Sequence, residues 1–434
     1  MLILVGIAWS RPALAVQPAN GPLYTVDVRG AVTSVTIGYM RRALNLAEAS
    51  NASALIIRLQ SSGGVLSAMR PFAGELAKAR VPVVVFVAPS GVQSGAAGAL
   101  FLSAAHVSAM APGTSFGSPA PLAEVDAALT DQTRDLVLDS VTNQLRAWNA
   151  AHGRNTDWID RAVRDGYVLT NEQAIALQPP AVDLVAADQE ELLTLLDGRV
   201  VKLADGSSVQ LSTLGRAPTP VAPSLWERLR LMLAEPTIAF LLLVMGAFAI
   251  YLEIAAPGTT IFAGVGVVLL AAAAAGLLVL PIRWWSLLLI LLALGLIGVE
   301  FYTPTHGALA VTGLAVLVVG ALTLIDPAQA PDTAIALWVV ALVVLGLGSF
   351  AALGIWLALR NRARPVTTGQ EAIVGKVAEV RRRLEPDGMV FVEGALWQAV
   401  SEDGTVEAGD WVRVVAVHEL RLIVRRLDGE AAEA

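Results

Sequence analysis

Cysteine is absent from the 434 residues. That excludes disulfides, thiolate metal sites and a cysteine nucleophile. Histidine is scarce: His106, His152, His306 and His418 are the only four. No two of them share a metal-ligand spacing, so no metal and no cofactor is expected. Lysine is scarcer still, since only Lys78 and Lys202 precede the apolar middle of the chain. Charge is low as well, at 15% of residues against about 25% in soluble globular chains. Most of that deficit falls between Thr237 and Leu359. A net charge of −7 gives no reason to expect nucleic acid.

What replaces the missing charge is hydrocarbon, with a mean hydropathy of +0.64. Crossing about 30 Å of lipid takes roughly 20 apolar residues in a helix. Five stretches qualify: Thr237–Ala256, Thr260–Leu280, Trp284–Tyr302, Ala308–Ile325 and Ala334–Leu359. Pro257-Gly258, Pro281, Pro304 and Pro327 punctuate them where turns are needed. A buried soluble core is excluded, because successive runs this long leave no polar face for water. The chain therefore reads as a multi-pass membrane protein in contact with a lipid bilayer. Length alone, at roughly 150 residues per domain, allows about three units.

The start, MLILVGIAWSRPALA, resembles the apolar core and Ala13-Leu14-Ala15 cleavage site of a secretory signal, without a basic segment before it. The competing reading is a buried N-terminal strand. Arg360, Arg362 and Arg364 follow the last span, which puts that end in the cytoplasm. Five spans then place the N-terminal part outside. Arg228 and Arg230, before the first span, oppose this orientation. The localisation expected is a bacterial-type inner (plasma) membrane, with a periplasmic N-terminal domain and a cytoplasmic C-terminal one.

The spans carry a weak internal repeat. Glu253 stands four residues before Pro257, with Gly258 and Gly264 beyond, and Glu300 stands four before Pro304, with Gly307 and Gly313 beyond. An acidic residue beside a membrane segment is a functional candidate. The plainer reading, a turn motif that starts the next helix, is the stronger one.

From Gly21 to Gly215 the pattern alternates. Leu23–Val28, Ala54–Leu59 and Val83–Ala88 read as buried strands, with helices over Val35–Ala49 and Val65–Ala79 between them. Such a series implies a parallel sheet covered by helices, with sites at the carboxyl ends of its strands. Two Gly-rich turns fall there: Ser61-Ser62-Gly63-Gly64, and Ser90-Gly91 leading into Ser94-Gly95-Ala96-Ala97-Gly98.

With these turns go AMAPGTSFG from Ala109 to Gly117, HGRN from His152 to Asn155, and VDLVA from Val182 to Ala186. On them the N-terminal part resembles the ClpP/crotonase-type fold. The whole chain resembles the long form of the NfeD family, the membrane-bound ClpP-class serine protease and stomatin-operon partner type. The resemblance implies a Ser–Lys dyad: a serine heading the helix after the third strand attacks the carbonyl, and a lysine from the helix beyond AMAPGTSFG takes its proton. The Gly63-Gly64 turn would offer N–H groups to the oxyanion.

At the position matching that nucleophile stands Ala96, and near the base position stands Leu136, within a helix over about Thr130–Ala151. A methyl group cannot attack and a leucine cannot accept a proton. Neither Lys78 nor Lys202 lies in that helix, and Arg134, which does, stays protonated. Ser94 is the fallback nucleophile, but two residues turn its hydroxyl about 200° around a helix axis. Its simpler role is a helix N-cap. The glycine turn then either binds an extended, apolar peptide by strand addition or merely makes a tight bend.

Gly215–Ser224, with three prolines, is a semi-rigid spacer. Leu225–Ala234 is amphipathic and expected on the membrane surface. Beyond Thr368 the period becomes two. Strands are expected over Gly375–Val380, Met389–Val392, Leu396–Ala399, Trp411–Val417 and Arg421–Arg425. Five short strands suit an all-β, OB-like barrel, with Phe391, Trp397 and Trp411 in its core. GKVAEV…PDGMVFVEGALWQAV…GDWVRVV resembles the NfeD soluble domain.

The expected layout is thus a multi-domain membrane protein. A signal-like segment covers 1–20, the α/β ClpP/crotonase-like domain 21–215, a linker with an amphipathic segment 216–235, an α-helical block of about five spans 236–360, and the barrel 368–427. The resemblance implies partnership with an SPFH/stomatin-family membrane protein in membrane organisation or quality control, and a homo-oligomer. The outer domain is then a peptide-binding pseudoprotease. The alternative is an active serine endopeptidase cleaving apolar segments. A transporter would need paired intramembrane charges, which the spans lack.

Overall fold

A computed structural model describes residues 17–18, 21–117, 131–258, 260–303, 305–327, 330, 333–362 and 373–427. The signal-like start, apart from Gln17 and Pro18, lies outside the described residues, as does Pro304. The chain divides into two compact units, 1–351 and 352–434.

The first unit opens with β1 (Gln17–Pro18), β2 (Leu23–Arg29), α1 (Ser34–Ala49), β3 (Ala54–Gln60), α2 (Leu66–Ala77), β4 (Val83–Val87), α3 (Gly95–Ala104), β5 (Val107–Met110) and β6 (Ser115–Gly117). There follow α4 (Asp131–Ala151), α5 (Ile159–Asp165), β7 (Val168–Thr170), α6 (Asn171–Ala176), β8 (Leu184–Val185), α7 (Gln189–Leu196), β9 (Val200–Lys202), β10 (Ser208–Gln210) and β11 (Thr219–Pro220). The main sheet has the order β11-β2-β3-β4-β5-β8, with every pair parallel.

Alternation along the strands supplies both faces of this sheet. Leu55, Ile57 and Leu59 join Val85, Met40, Phe72 and Phe101 under the helices on one side. Ile56, Val84, Phe86 and Ala109 meet Leu192 and Leu196 of α7 on the other. β4 is therefore apolar and buried at every position, as in a sheet buried on both faces.

The apolar block comprises α8 (Leu225–Leu233), α9 (Pro236–Ala255), α10 (Ile261–Leu277), α11 (Trp284–Glu300), α12 (Ala308–Leu322) and α13 (Leu337–Arg362). Among the described residues, two helices are long and apolar enough to cross a membrane, α9 and the Leu337–Leu357 part of α13. The apolar helices α10, α11 and α12 are shorter, at 17, 17 and 15 residues.

The sequence repeat is a repeat in space. α9 with α10 and α11 with α12 form two hairpins whose backbones approach at glycines. A Cβ on Gly266 would lie 2.9 Å from the Gly246 carbonyl oxygen, and one on Gly313 would lie 2.9 Å from that of Ala293. Small residues permit this close packing where hydrocarbon offers helices no hydrophobic drive to associate. Val267, Val268, Leu288 and Val311 point outward and exposed, the reverse of a water-soluble bundle.

The second unit holds a closed barrel of β12 (Val377–Arg382), β13 (Asp387–Val392), β14 (Ala395–Ser401), β15 (Trp411–His418) and β16 (Arg421–Arg426). Its order is β12-β13-β14-β16-β15, and only β14 with β16 runs parallel. Small residues such as Ala378, Val390, Val412 and Val424 fill the interior. Two of the three expected core aromatics are corrected here: Phe391 is 38% exposed and Trp411 47%. Both pair across strands with Glu379, on the outer side. A five-stranded barrel is too narrow for their rings, and the inward parity goes to β-branched neighbours. Trp397 is half-buried against the core.

Candidate functional site

The two glycine turns meet at the carboxyl end of the parallel sheet. β3 ends at Gln60, and Ser61-Ser62-Gly63-Gly64 leads into α2. The turn is pinned to the chain after β2: the Val32 N–H donates to the Gly63 carbonyl at 2.9 Å, and the Val65 N–H donates to the Val32 carbonyl at 3.0 Å. The Ser61 hydroxyl donates to the Gly63 carbonyl at 2.9 Å. Glycine at 64 is required by close approach, since a Cβ there would lie 2.1 Å from the Val32 carbonyl oxygen. Among the described residues, neither the Gly63 nor the Gly64 N–H finds an acceptor.

Ala96, in the first turn of α3, donates its N–H to the Ser62 carbonyl at 3.1 Å. Ala96 therefore lies beside the glycine turn, half-buried and ending in a methyl group. Ser94 is placed differently from its expected role. It precedes α3, but its φ of −103° and ψ of −1° are already near-helical, and its side chain caps nothing. An N-cap needs extended backbone to swing its oxygen over the first turn. The Ser94 side chain is buried instead, and its Oγ has no hydrogen-bond partner. It packs so tightly that a Cβ on Gly98 would lie 2.7 Å from it. Leu136 is 64% exposed on α4, and Arg134 is half-buried on the same helix.

The HGRN segment has a function that sequence reasoning missed. The Arg154 guanidinium donates to the carbonyls of Leu102 at 2.8 Å and Ala105 at 2.9 Å, closing the C-terminal end of α3. It also pairs with Asp183 of VDLVA at 2.6 Å. A cation there satisfies orphan carbonyls and opposes the helix dipole. Only the co-occurrence of the two motifs hinted at this. Burial would raise the Asp183 carboxyl, but the charge and hydrogen bonds of Arg154, with Ser108 assisting, hold it below its usual value. Beside this pair, His106 and His152 approach with ring centroids 5.8 Å apart. Burial, with the neighbouring positive charge of Arg154, lowers both imidazoles to about 4.

Outside the turn a half-open groove of about 540 Å³ runs between the soluble part and the apolar helices. Ser34, Val65, Ser67 and Ala68 line one wall, and the α10–α11 connection, Leu278 to Ile282, lines the other. The glycine turn thus sits next to the edge of the membrane block.

The repeat residues serve the hairpin turns. The Glu300 carboxylate accepts from the Thr305 hydroxyl at 2.6 Å and from the N–H groups of Gly307, Leu309 and Ala310 at 2.8, 3.0 and 3.1 Å. Glu253 accepts from the N–H groups of Gly258 and Thr260 at 3.4 and 3.0 Å. Each carboxylate reaches across its loop to the start of the following helix, and Pro257 lies within the first such loop. Among the described residues, no group of three or more His, Asp or Glu is placed to hold a metal ion.

Residues 237–359 match the family described as NfeD integral membrane domain. Residues 370–426 match the NfeD-like C-terminal, partner-binding domain. The chain is 29% identical over 447 positions to a membrane-bound protease, PH1510, of Pyrococcus horikoshii, covering 100% of this chain and 98% of that one. It is 23% identical to the membrane protein NfeD1b of Bacillus subtilis, covering 93% of each. A solved 1510-N membrane protease from Pyrococcus horikoshii, described as specific for a stomatin homolog, is 27% identical. It covers 49% of this chain and 97% of that one, with a TM-score of 0.41.

Proposed function

We propose, for a chain that belongs to the NfeD family in its long form, that it partners an SPFH/stomatin-like membrane protein in membrane organisation or quality control. Its ClpP-like N-terminal domain then binds extended peptide without cutting it. The observation that carries this reading is the Ala96 methyl, held beside Gly63-Gly64 by a 3.1 Å bond to Ser62. The turn keeps donors for a peptide or an oxyanion, while the place matching the nucleophile has no hydroxyl to attack with. Leu136, near the place of the base, is hydrocarbon exposed to solvent.

The partner-binding description of the family matched by residues 370–426 supports docking through the C-terminal barrel, which we take as OB-type from its strand order. We take the five apolar helices as five spans, with the ClpP-like domain outside and the barrel in the cytoplasm, and the protein as a homo-oligomer.

The competing reading, an active serine endopeptidase, draws on the name of the archaeal relative. It would need Ser94, whose Oγ is shut away from solvent and unbonded. The test is labelling of detergent-purified full-length protein with a fluorophosphonate or a peptidyl chloromethylketone. Silence supports the pseudoprotease, and labelling that Ser94→Ala abolishes overturns it. Co-purification with an SPFH protein tests the partnership. Loss of that protein on deleting residues 368–434 supports barrel docking, whereas loss only on altering the spans removes it.

A further inference from the structure

α8 is built inside out for a soluble helix. At about 100° per residue, Met232, Leu225, Leu229, Leu233 and Trp226 fall on one arc of about 120°. Arg228 borders that arc on one side and Arg230 on the other. Leu225 is 83% exposed, Trp226 61%, Met232 57% and Leu229 43%. The opposite side faces the protein. There Glu227 takes a bidentate bond from Arg42 of α1, both contacts at 2.8 Å. A water-facing helix would turn its apolar stripe inward and its charges outward.

The neighbours of α8 fix its level. α9 begins three residues after Leu233, which ends α8. The Leu233 carbonyl lies against the last turn of α10, so close that a Cβ on Gly276 would stand 1.9 Å from its oxygen. Exposed Trp284 and Trp285 open α11 just beyond that turn, where aromatic side chains mark a membrane–water boundary. Arg230 lies over the Trp226 ring at 5.1 Å, its charge at the border of the apolar arc.

From this geometry we infer that α8 lies in the plane of the bilayer on the side of the soluble domain. Its apolar arc is sunk among the acyl chains, and Arg228 and Arg230 reach the lipid phosphates. The occupant is lipid, because the arc continues the surface of a membrane-spanning helix and the flanking guanidiniums suit phosphate oxygens. Through Arg42–Glu227 the sunken helix holds α1, and the Tyr39 hydroxyl of α1 donates to the Val221 carbonyl in the segment that leads into α8. It thereby fixes the height of the Gly63-Gly64 turn and its groove above the membrane. This inference is independent of whether the domain cuts or only binds peptide.

The absence of native cysteine makes the test direct. Nitroxide labels are placed singly at Leu225→Cys, Leu229→Cys and Met232→Cys of the full chain in lipid nanodiscs. Val267→Cys on the exposed face of α10 and Asp205→Cys in the β9–β10 turn give the lipid and water references. Collisions with oxygen and with a nickel chelate are then compared. The three labels are expected to favour oxygen, as at Val267, at a depth of about 5–10 Å below the phosphates. Nickel accessibility like that at Asp205 overturns the inference. So does shielding from both reagents, which would mean that protein, for instance a second copy, covers the arc.

Discussion

Arg154 holds Asp183 at 2.6 Å while its other N–H groups close the end of α3 at Leu102 and Ala105. Two motifs far apart in sequence thus fix the tail of the helix whose head carries Ala96. Arg154→Ala is expected to cost about 3–5 kcal/mol, because it leaves a buried carboxylate and several helix carbonyls without their cation. Denaturant unfolding of the purified chain checks this. Asp183→Asn should cost less, since the amide still bonds Arg154. The lowered Asp183 value gives stability that is present above the ordinary carboxylate range and lost as pH falls through the folded value.

His106 and His152 act in the same direction at higher pH. Both are held neutral in the fold down to about 4, against an ordinary 6.5. Between those values the unfolded chain takes up protons that the folded one refuses, so stability is full above about 6.5 and declines as pH falls toward 4. The Nδ1 of His106 accepts the Val83 N–H at 3.3 Å. His106→Gln keeps an acceptor there without the titration. It is expected to flatten the loss of melting temperature between pH 6.5 and 4.

Gly64→Ala is expected to open the turn. Its methyl would meet the Val32 carbonyl at 2.1 Å, and backbone on both sides must move. A substitution of this kind belongs to the class costing several kcal/mol, well above the roughly 1 kcal/mol typical of point changes. Thermal unfolding should show the loss. Binding of an extended apolar peptide, followed by fluorescence anisotropy, should fall with it.

Both hairpins should depend on their carboxylates. Glu300 satisfies four donors, and Glu253 accepts from the N–H groups of Gly258 and Thr260. Loss of a helix cap costs about 0.5–2 kcal/mol. Glu300→Ala and Glu253→Ala are therefore each expected to lower the melting temperature in detergent. An unchanged melting temperature in either variant would contradict its assignment to turn capping.

Much of this was legible in the chain. The strands over Leu23–Val28, Ala54–Leu59 and Val83–Ala88, and all five strands of the barrel, follow from local period and turn chemistry, which tertiary contacts reinforce. That Ala96 and the glycine turn both fall at the carboxyl ends of strands could also be read, because motif spacing survives in sequence. The burial of Ser94 could not, since it depends on how closely Gly98 packs against its side chain. Nor could the outward parity of Phe391 and Trp411, since an aromatic in a strand reads the same whether it faces in or out.

The sequence by itself determined the apolar block, the alternating α/β part and the methyl group at residue 96, because hydrocarbon needs no neighbours to be recognised. Only the tertiary structure decided that Arg154 caps α3, that Ser94 is buried without capping its helix, and that Glu227 of α8 pairs with Arg42 of α1. Each of these is a direction in space, fixed by which side chains other segments bring to the same place, and no local pattern carries that information.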